Sequence, residues 1–288
     1  MGGDAYGATI AKKRLADFFG ALRLDRGLTA TQICERLGWG RGKLGRFELN
    51  QWKRPEMSDM RDLLRLYQIE GEQYDRIMSL ALLARERAWW RDFADVFDSE
   101  YPGFENDAST IRCFFPLTIP ELLQTKKYAA QRHPRSARQV ESILYRQRIL
   151  LRPAATAPRL TAVITEAALR YDWGNVGDQL EQVVRLVELG RRPNVELRLH
   201  AFHGGSPPGP VLPVTQMRFP PDDGDDLVFV DTGVALSHIA SQPESVTYMT
   251  HLEEVLQQAL DHVRTLDYLS DLAGVIMRAG ETRELGLH

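Results

Sequence analysis

Apolar residues recur at helical spacing through the first ninety or so positions, and alternate at strand spacing only in the later half of the chain. Leu15, Phe18, Phe19 and Leu22 make one stripe and predict a helix over 10–26, ended by Gly27. Residues 1–9 are small and polar, and a frayed start is expected. Thr29 can cap a second helix, in which Ile33 and Leu37 fall one turn apart and point inward. Gly38 stands where a helix ends most easily in the left-handed region. Leu44 and Phe47 are the buried pair of a third helix, which carries Arg41, Lys43 and Arg46 on one exposed side. Gly40 takes its N-cap place, Asn50 stops it and Pro55 closes the segment. Ser58 can cap a helix holding Met60, Leu63, Leu64 and Tyr67, and Tyr74, Ile77, Met78, Ala81 and Leu82 mark another over 72–90. Five helices with the second and third set at an angle predict an all-α helix-turn-helix bundle over 1–84. Trp89, Trp90, Phe93 and Phe97 extend the helical spacing into a linker over 85–107, with a turn at Tyr101-Pro102-Gly103.

From 108 to 288 the pattern is mixed. Helices are expected over 121–132 and 136–151, and a strand over 159–165. A helix over 177–188 would turn Leu180, Val183, Val184 and Val187 inward. Residues 195–202 alternate most clearly, and strands over 214–219 and 227–230 flank the polar turn PPDDGDD. Helices over 243–264 and 266–278 follow. The succession predicts an α+β domain: a small sheet with flanking helices on one side.

Charge separates the first 54 residues from the rest. The whole chain of 288 residues carries a net charge of −3. Residues 1–54 hold eleven Lys and Arg against five Asp and Glu, or +6, so the rest sums to −9. A basic module on an acidic body points to one polyanion-binding end. Cys34 and Cys113 lie in apolar surroundings without a CxxC partner and read as buried free thiols. No leader-like or membrane-length apolar run is present, so a cytoplasmic protein with no membrane partner is expected.

The string GLTATQICERLGWGRGKLGRFELNQWKRP resembles the Cro/C1-type, or xenobiotic-response-element, helix-turn-helix family, through Gly27-Leu28, Ile33-Cys34, Leu37-Gly38, Leu44, Phe47-Glu48 and Pro55. The resemblance implies that Glu48 pairs with Arg23 on the first helix. It places Arg41, Gly42 and Arg46 at base-reading positions, and Thr29, Lys43 and Lys53 nearer phosphates. Arginine can donate a bidentate pair to guanine, and lysine adds salt-dependent, sequence-blind affinity. Gly40 is tolerable at the N-cap, but Gly42 and Gly45 leave few side chains to read bases, so either the backbone approaches DNA closely or specificity is weakened.

A second stretch, Ile119 to Thr125 followed by Tyr128-Ala129, resembles the "PGLLQTxxYA" signature of actinobacterial regulators with antitoxin-like or WhiJ-like C-terminal domains, with Glu121 in place of the usual Gly. Tyr145 to Arg148, Ile164 to Leu169, Gln179-Leu180 and Pro193 to Val195 extend the resemblance. It implies a C-terminal domain that dimerises, grips a small protein partner or senses a small-molecule effector. Leu122, Leu123, Gln124, Thr125 and Tyr128 are candidates for its functional face. Core packing, with Gln124 as a buried hydrogen-bonder, is the competing reading.

No catalytic, metal or cofactor motif emerges. His200 and His203, beside Asp222, Asp223, Asp225 and Asp226, are three apart on or after one strand, which sends them to opposite faces. HGGSPPGP lacks a phosphate-cradle pattern, Ser206, Ser237 and Ser241 lack a nucleophile elbow, and Glu166 and Glu181 cannot be placed together from sequence. The expectation is a dimeric, sequence-specific regulator of double-stranded DNA with no enzymatic activity. The alternative is a small-molecule-binding or enzymatic C-terminal domain, with the helix-turn-helix as an interaction module.

Overall fold

The computed structural model describes residues 7–52, 54–220 and 226–284, with side chains described as far as residue 280. Two compact units divide the chain: Met1–Asp107 with Phe219–Pro221, and Ala108–Arg218 with Asp222–His288.

In the first unit α1 (Ala8–Asp25), α2 (Ala30–Arg36), α3 (Lys43–Glu48), α4 (Met57–Leu66) and α5 (Gly71–Leu83) surround one core. Leu15, Phe19, Ile33, Leu44, Leu63, Leu64 and Tyr67 fill it, and the Phe19 ring lies 5.8 Å from Phe47. Ser58 is not the cap of α4: the helix starts two residues earlier than that cap would give, with Glu56 in the N-cap position. The helix expected over 72–90 stops at Leu83, and the aromatic run forms a 3-10 helix, Trp89–Phe93. The expected turn at 101–103 is instead the start of α6 (Tyr101–Asp107). Pro102 is tolerated there because the first helical turn leaves its N–H groups unpaired anyway. A Cβ on Gly103 would come within 2.2 Å of Thr9 Oγ1, so this helix approaches the start of α1 more closely than a side chain permits. At its far end, Asp107 Oδ2 accepts from the backbone N–H of Thr9 (2.9 Å) and Ile10 (3.0 Å). Those orphan donors anchor the start of α1, so Thr9 is helical and buried rather than frayed. Residues 1–6 of the expected fray lie outside the described residues.

The second unit holds β1 (Thr110–Phe115), a 3-10 turn at Glu121–Leu123, α7 (Lys126–Arg132), α8 (Ala137–Arg146), β2 (Arg159–Thr165), α9 (Glu166–Arg170), α10 (Val176–Gly190) and β3 (Val195–His200). It continues with β4 (Val214–Arg218), β5 (Leu227–Asp231), β6 (Leu236–His238), α11 (Gln242–Gln258) and α12 (His262–Glu284). The six strands run in the order β3-β2-β1-β4-β5-β6. β1, β2 and β3 pair in parallel, and β1 through β4 and β5 to β6 in antiparallel. The central strand β1 has no counterpart among the expected elements. It is packed on both faces, with Ile111, Cys113 and Phe114 all buried, and so shows no clean alternation.

Helices cover both faces of the sheet rather than one. Phe114 and Val163 pack under Leu252, Val255 and Leu256 of α11. Val163 pairs with Arg198, so its neighbour Leu197 faces the other way. There Leu197 meets α10 and α12: a Cβ on Gly190 would lie 3.2 Å from Leu197 Cδ1 and 2.6 Å from Leu266 Cδ2. The buried stripe of α10 is Val183, Leu186 and Leu189 with Gln182, while Val184, expected inward, is exposed. The long helix expected over 243–264 breaks after Gln258, and the break covers a sheet edge. Leu197 N–H donates to His262 Nδ1 (3.1 Å), Leu199 N–H to Thr265 Oγ1 (3.0 Å), and Leu260 N–H to the Leu199 carbonyl (2.9 Å). Groups on β3 that would otherwise invite a foreign strand are thereby occupied.

Candidate functional site

The angled pair α2 and α3 is built as its residue spacing requires. Thr29 Oγ1 accepts from Gln32 N–H, and the Gln32 side chain accepts from Thr29 N–H (2.8 Å), a reciprocal capping box. Gly38 adopts φ +65° and Asn50 φ +57°, ending α2 and α3 in the left-handed region. Arg23 Nε and Nη2 donate to the two Glu48 carboxylate oxygens at 2.7 and 2.8 Å, tying α3 to α1 as the family resemblance implied. That hydrogen bond pushes the Arg23 pKa up from its ordinary value.

Two details of α3 differ from expectation. Gly42, not Gly40, is its N-cap, with φ +76°, so Gly45 is the one interior glycine of α3. Arg41 precedes the helix in the turn rather than riding on it. Of the side expected to be exposed, Arg41 and Arg46 face solvent, as does Gly42, while Lys43 is only partly exposed. Leu49, at the helix end, is 69% exposed, a large apolar side chain beside Arg46 that no helical stripe singles out.

Lys43 differs in kind. Its Nζ lies 2.7 Å from Asp59 Oδ1 and 4.3 Å from the centre of the Trp39 ring, so its charge is already partnered within the unit. Thr29 is exposed, although its hydroxyl is engaged in the capping box. Lys53 lies outside the described residues. Asp59 and Trp39 carry no signal of this role in the sequence. Neither helical periodicity nor charge counting links positions on two separate helices. The same holds for Glu100, which accepts from Asn50 Nδ2 (2.6 Å) and Lys12 Nζ (2.7 Å) and so fixes the exit from α3.

The candidate residues of the second unit meet in one tight turn. Leu122, Leu123, Gln124, Thr125 and Tyr128 are all buried. Gln124 Nε2 donates to the Ile119 carbonyl (2.7 Å), and Ile119 N–H donates to the Tyr128 hydroxyl oxygen (3.2 Å). Thr125 caps α7 by accepting from Tyr128 N–H (3.1 Å). Two glutamines from elsewhere complete the knot. Gln147 Nε2 reaches the carbonyls of Glu121 and Gln124, both at 2.8 Å. Gln182 accepts from Thr125 N–H (2.8 Å) and donates to the Leu123 carbonyl (2.9 Å). Glu121, where the family signature has Gly, forms an ion pair with the buried Arg146. The five side chains therefore hold the turn rather than presenting a contiguous exposed face. Burial pushes the Tyr128 hydroxyl pKa up, offset in part by the Ile119 hydrogen bond and by the Arg132 charge.

The other constellations stay apart. Glu166 is bound by Arg170 Nε (3.0 Å) and by Phe202 N–H (3.0 Å), while Glu181 pairs with Lys127 (3.1 Å). His200 is buried and His203 exposed; Asp222, Asp223 and Asp225 lie outside the described residues. Among the described residues, no group of three or more metal-ligating side chains could hold an ion, and no helix is long and apolar enough to cross a membrane. Cys34 and Cys113 are buried free thiols.

Residues 99–271 match a family described as a domain of unknown function, DUF5753, and residues 14–77 match a helix-turn-helix domain. No curated protein and no solved structure matches the chain.

Proposed function

For a chain that belongs to the DUF5753 family and carries a helix-turn-helix domain ahead of that region, we propose a transcriptional regulator of the Cro/C1 type, not an enzyme, that binds double-stranded DNA as a homodimer. The observation that carries this reading is the exposed set of Arg41 and Gly42 in the turn before α3, Arg46 on it and Leu49 at its end, on a helix locked to α1 by the Arg23–Glu48 pair. Two arginines on a rigid support suit guanine edges, and an exposed leucine suits a thymine methyl. Gly45, with nothing within 4 Å of the place a Cβ would take, lets the helix backbone approach the groove. Thr29 and Lys53 are assigned to phosphate contacts. Lys43 supports the helix through Asp59 and is assigned a smaller phosphate share.

One helix-turn-helix buries too little surface for a unique genomic site, so two half-sites and a dimer are part of the proposal. The second unit is assigned the regulatory role, antitoxin-like, holding a protein partner or an effector. The test is selection of genomic fragments by purified protein, then titration of the best fragment at several salt concentrations beside Arg41→Ala/Arg46→Ala. An inverted repeat, with affinity lowered at least a hundredfold in the double variant, is expected. Weak binding indifferent to both sequence and the substitutions would refute the reading.

A further inference from the structure

The second unit carries an open cleft of about 710 Å³ that the DNA-binding reading leaves unused. It lies where the chain leaves β1, β2 and β5 at their C-terminal ends and enters β4. β5 runs parallel to β1, because each is antiparallel to β4, so the three strand ends share one rim. The crevice outside the carboxyl ends of strands is where open α/β sheets bind ligands, and this volume suits a small organic molecule.

The walls mix apolar and aromatic side chains with polar ones. Trp173 stands edge-on to the buried Tyr128 ring, with centroids 4.6 Å apart. Tyr171 is 56% exposed, Leu117 51% and Val211 46%, a concentration of uncovered apolar surface in one concavity. Two charged groups line the cleft without an ion pair or side-chain hydrogen bond among the described residues, Arg132 and Asp172. Asp231, the other carboxylate of the rim, accepts from Gly233 N–H at 2.7 Å and is committed to its own turn. Arg132 sits in the last turn of α7, close enough to the Tyr128 hydroxyl for its charge to be felt there. A guanidinium is weakly hydrated and forked, so it holds a carboxylate in two parallel hydrogen bonds. A single exposed carboxylate such as Asp172 competes poorly with water for an ammonium.

We propose that this cleft is an effector site for a small planar aromatic carboxylate, its ring against Trp173, Tyr171 and Leu117 and its carboxylate on Arg132. This deepens the reading of the second unit as the regulatory half by naming its ligand class. Calorimetric titration of the full chain without DNA tests it, using naphthoate, naphthamide and naphthylmethylamine as probes. The variants are Arg132→Gln, Trp173→Leu and, away from the cleft, Arg148→Gln. Arg132 is exposed and makes no ion pair among the described residues, so its replacement leaves folding intact. Naphthoate is expected to bind at least tenfold more tightly than naphthamide. Arg132→Gln should abolish that preference, Trp173→Leu should weaken both ligands, and Arg148→Gln should change neither. Equal affinity for acid and amide, tighter binding of the amine, a preference that survives Arg132→Gln, or no saturation at millimolar concentration would each overturn the proposal. Because no DNA is present, these outcomes are independent of whether the first unit reads an operator.

Discussion

Arg23 and Glu48 show how much one pair of side chains can decide. They are 25 positions apart, and their side chains are 17% and 12% exposed. A forked, charged pair at that depth is worth more than a surface ion pair, because breaking it strands a half-buried charge. Glu48→Gln is expected to cost about 2 kcal/mol and lower the thermal midpoint by several degrees. A loss under about 0.5 kcal/mol would place the pair in the solvent-screened class. The pair is legible in the sequence only through the family resemblance. Lys43 and its partner Asp59 are not legible at all: a count of charges registers Lys43 as a free cation, whereas Asp59 and the Trp39 ring already hold it. Gln182 is likewise hidden, since a polar residue inside an apolar stripe reads as a flaw until the unpaired backbone groups it serves, on Leu123 and Thr125, are brought to it.

At the scale of elements, α3 carries a contrast between two glycines. Gly42 needs its left-handed φ of +76°, while Gly45 is helical with open space around it. Gly42→Ala should destabilise by about 1 kcal/mol, from the clash of Cβ in the left-handed region. Gly45→Ala should stabilise by up to about 1 kcal/mol, from helix propensity alone. Urea unfolding of the two variants beside the parent checks this, and shifts in the same direction would contradict it. Elements with local signals are the ones the sequence makes plain. β2 follows its predicted span of 159–165, and the stops at Gly38 and Asn50 are left-handed as their types suggest. The helix expected over 121–132 is interrupted because Gln124 is extended, with ψ 148°. That break serves Thr125, which caps α7, and the knot of glutamines around it; no local pattern announces it.

At the scale of the whole molecule, three histidines make stability depend on pH. Burial pushes the pKa of His133, His200 and His251 down from the ordinary value. The opposing pull comes from the Glu121 carboxylate at His133, the Gln258 side chain at His200 and the Pro210 carbonyl at His251, and in each case burial wins. The unfolded chain takes up these protons near pH 6.5, while the folded chain resists until lower pH. Their contribution is therefore fully present above about pH 6.5 and is lost as the pH falls through the depressed values. Each tenfold difference in proton affinity between the folded and unfolded chain is worth about 1.4 kcal/mol. Urea midpoints should fall between about pH 7 and pH 5, and His251→Gln should flatten that slope. A midpoint that rises toward pH 5 would contradict the assignment. The charges of +6 over residues 1–54 and −9 over the other 234 are visible by counting, and the basic excess lies on the segment that holds the angled helix pair.

Periodicity, caps and charge determined by themselves the five-helix start, the helix-turn-helix, the span of β2 and the basic character of the first 54 residues. Each is a property of neighbouring positions, and helix stripes, N-caps and left-handed stops act within one or two turns. Tertiary structure alone decided that β1 runs through the middle of the sheet, that helices cover both its faces, and that the ELLQT turn is held from within. It also decided that Arg132, Tyr171 and Trp173 share one cleft. These depend on which distant segments pack together, and a local apolar pattern records that a side chain is to be buried without recording against what.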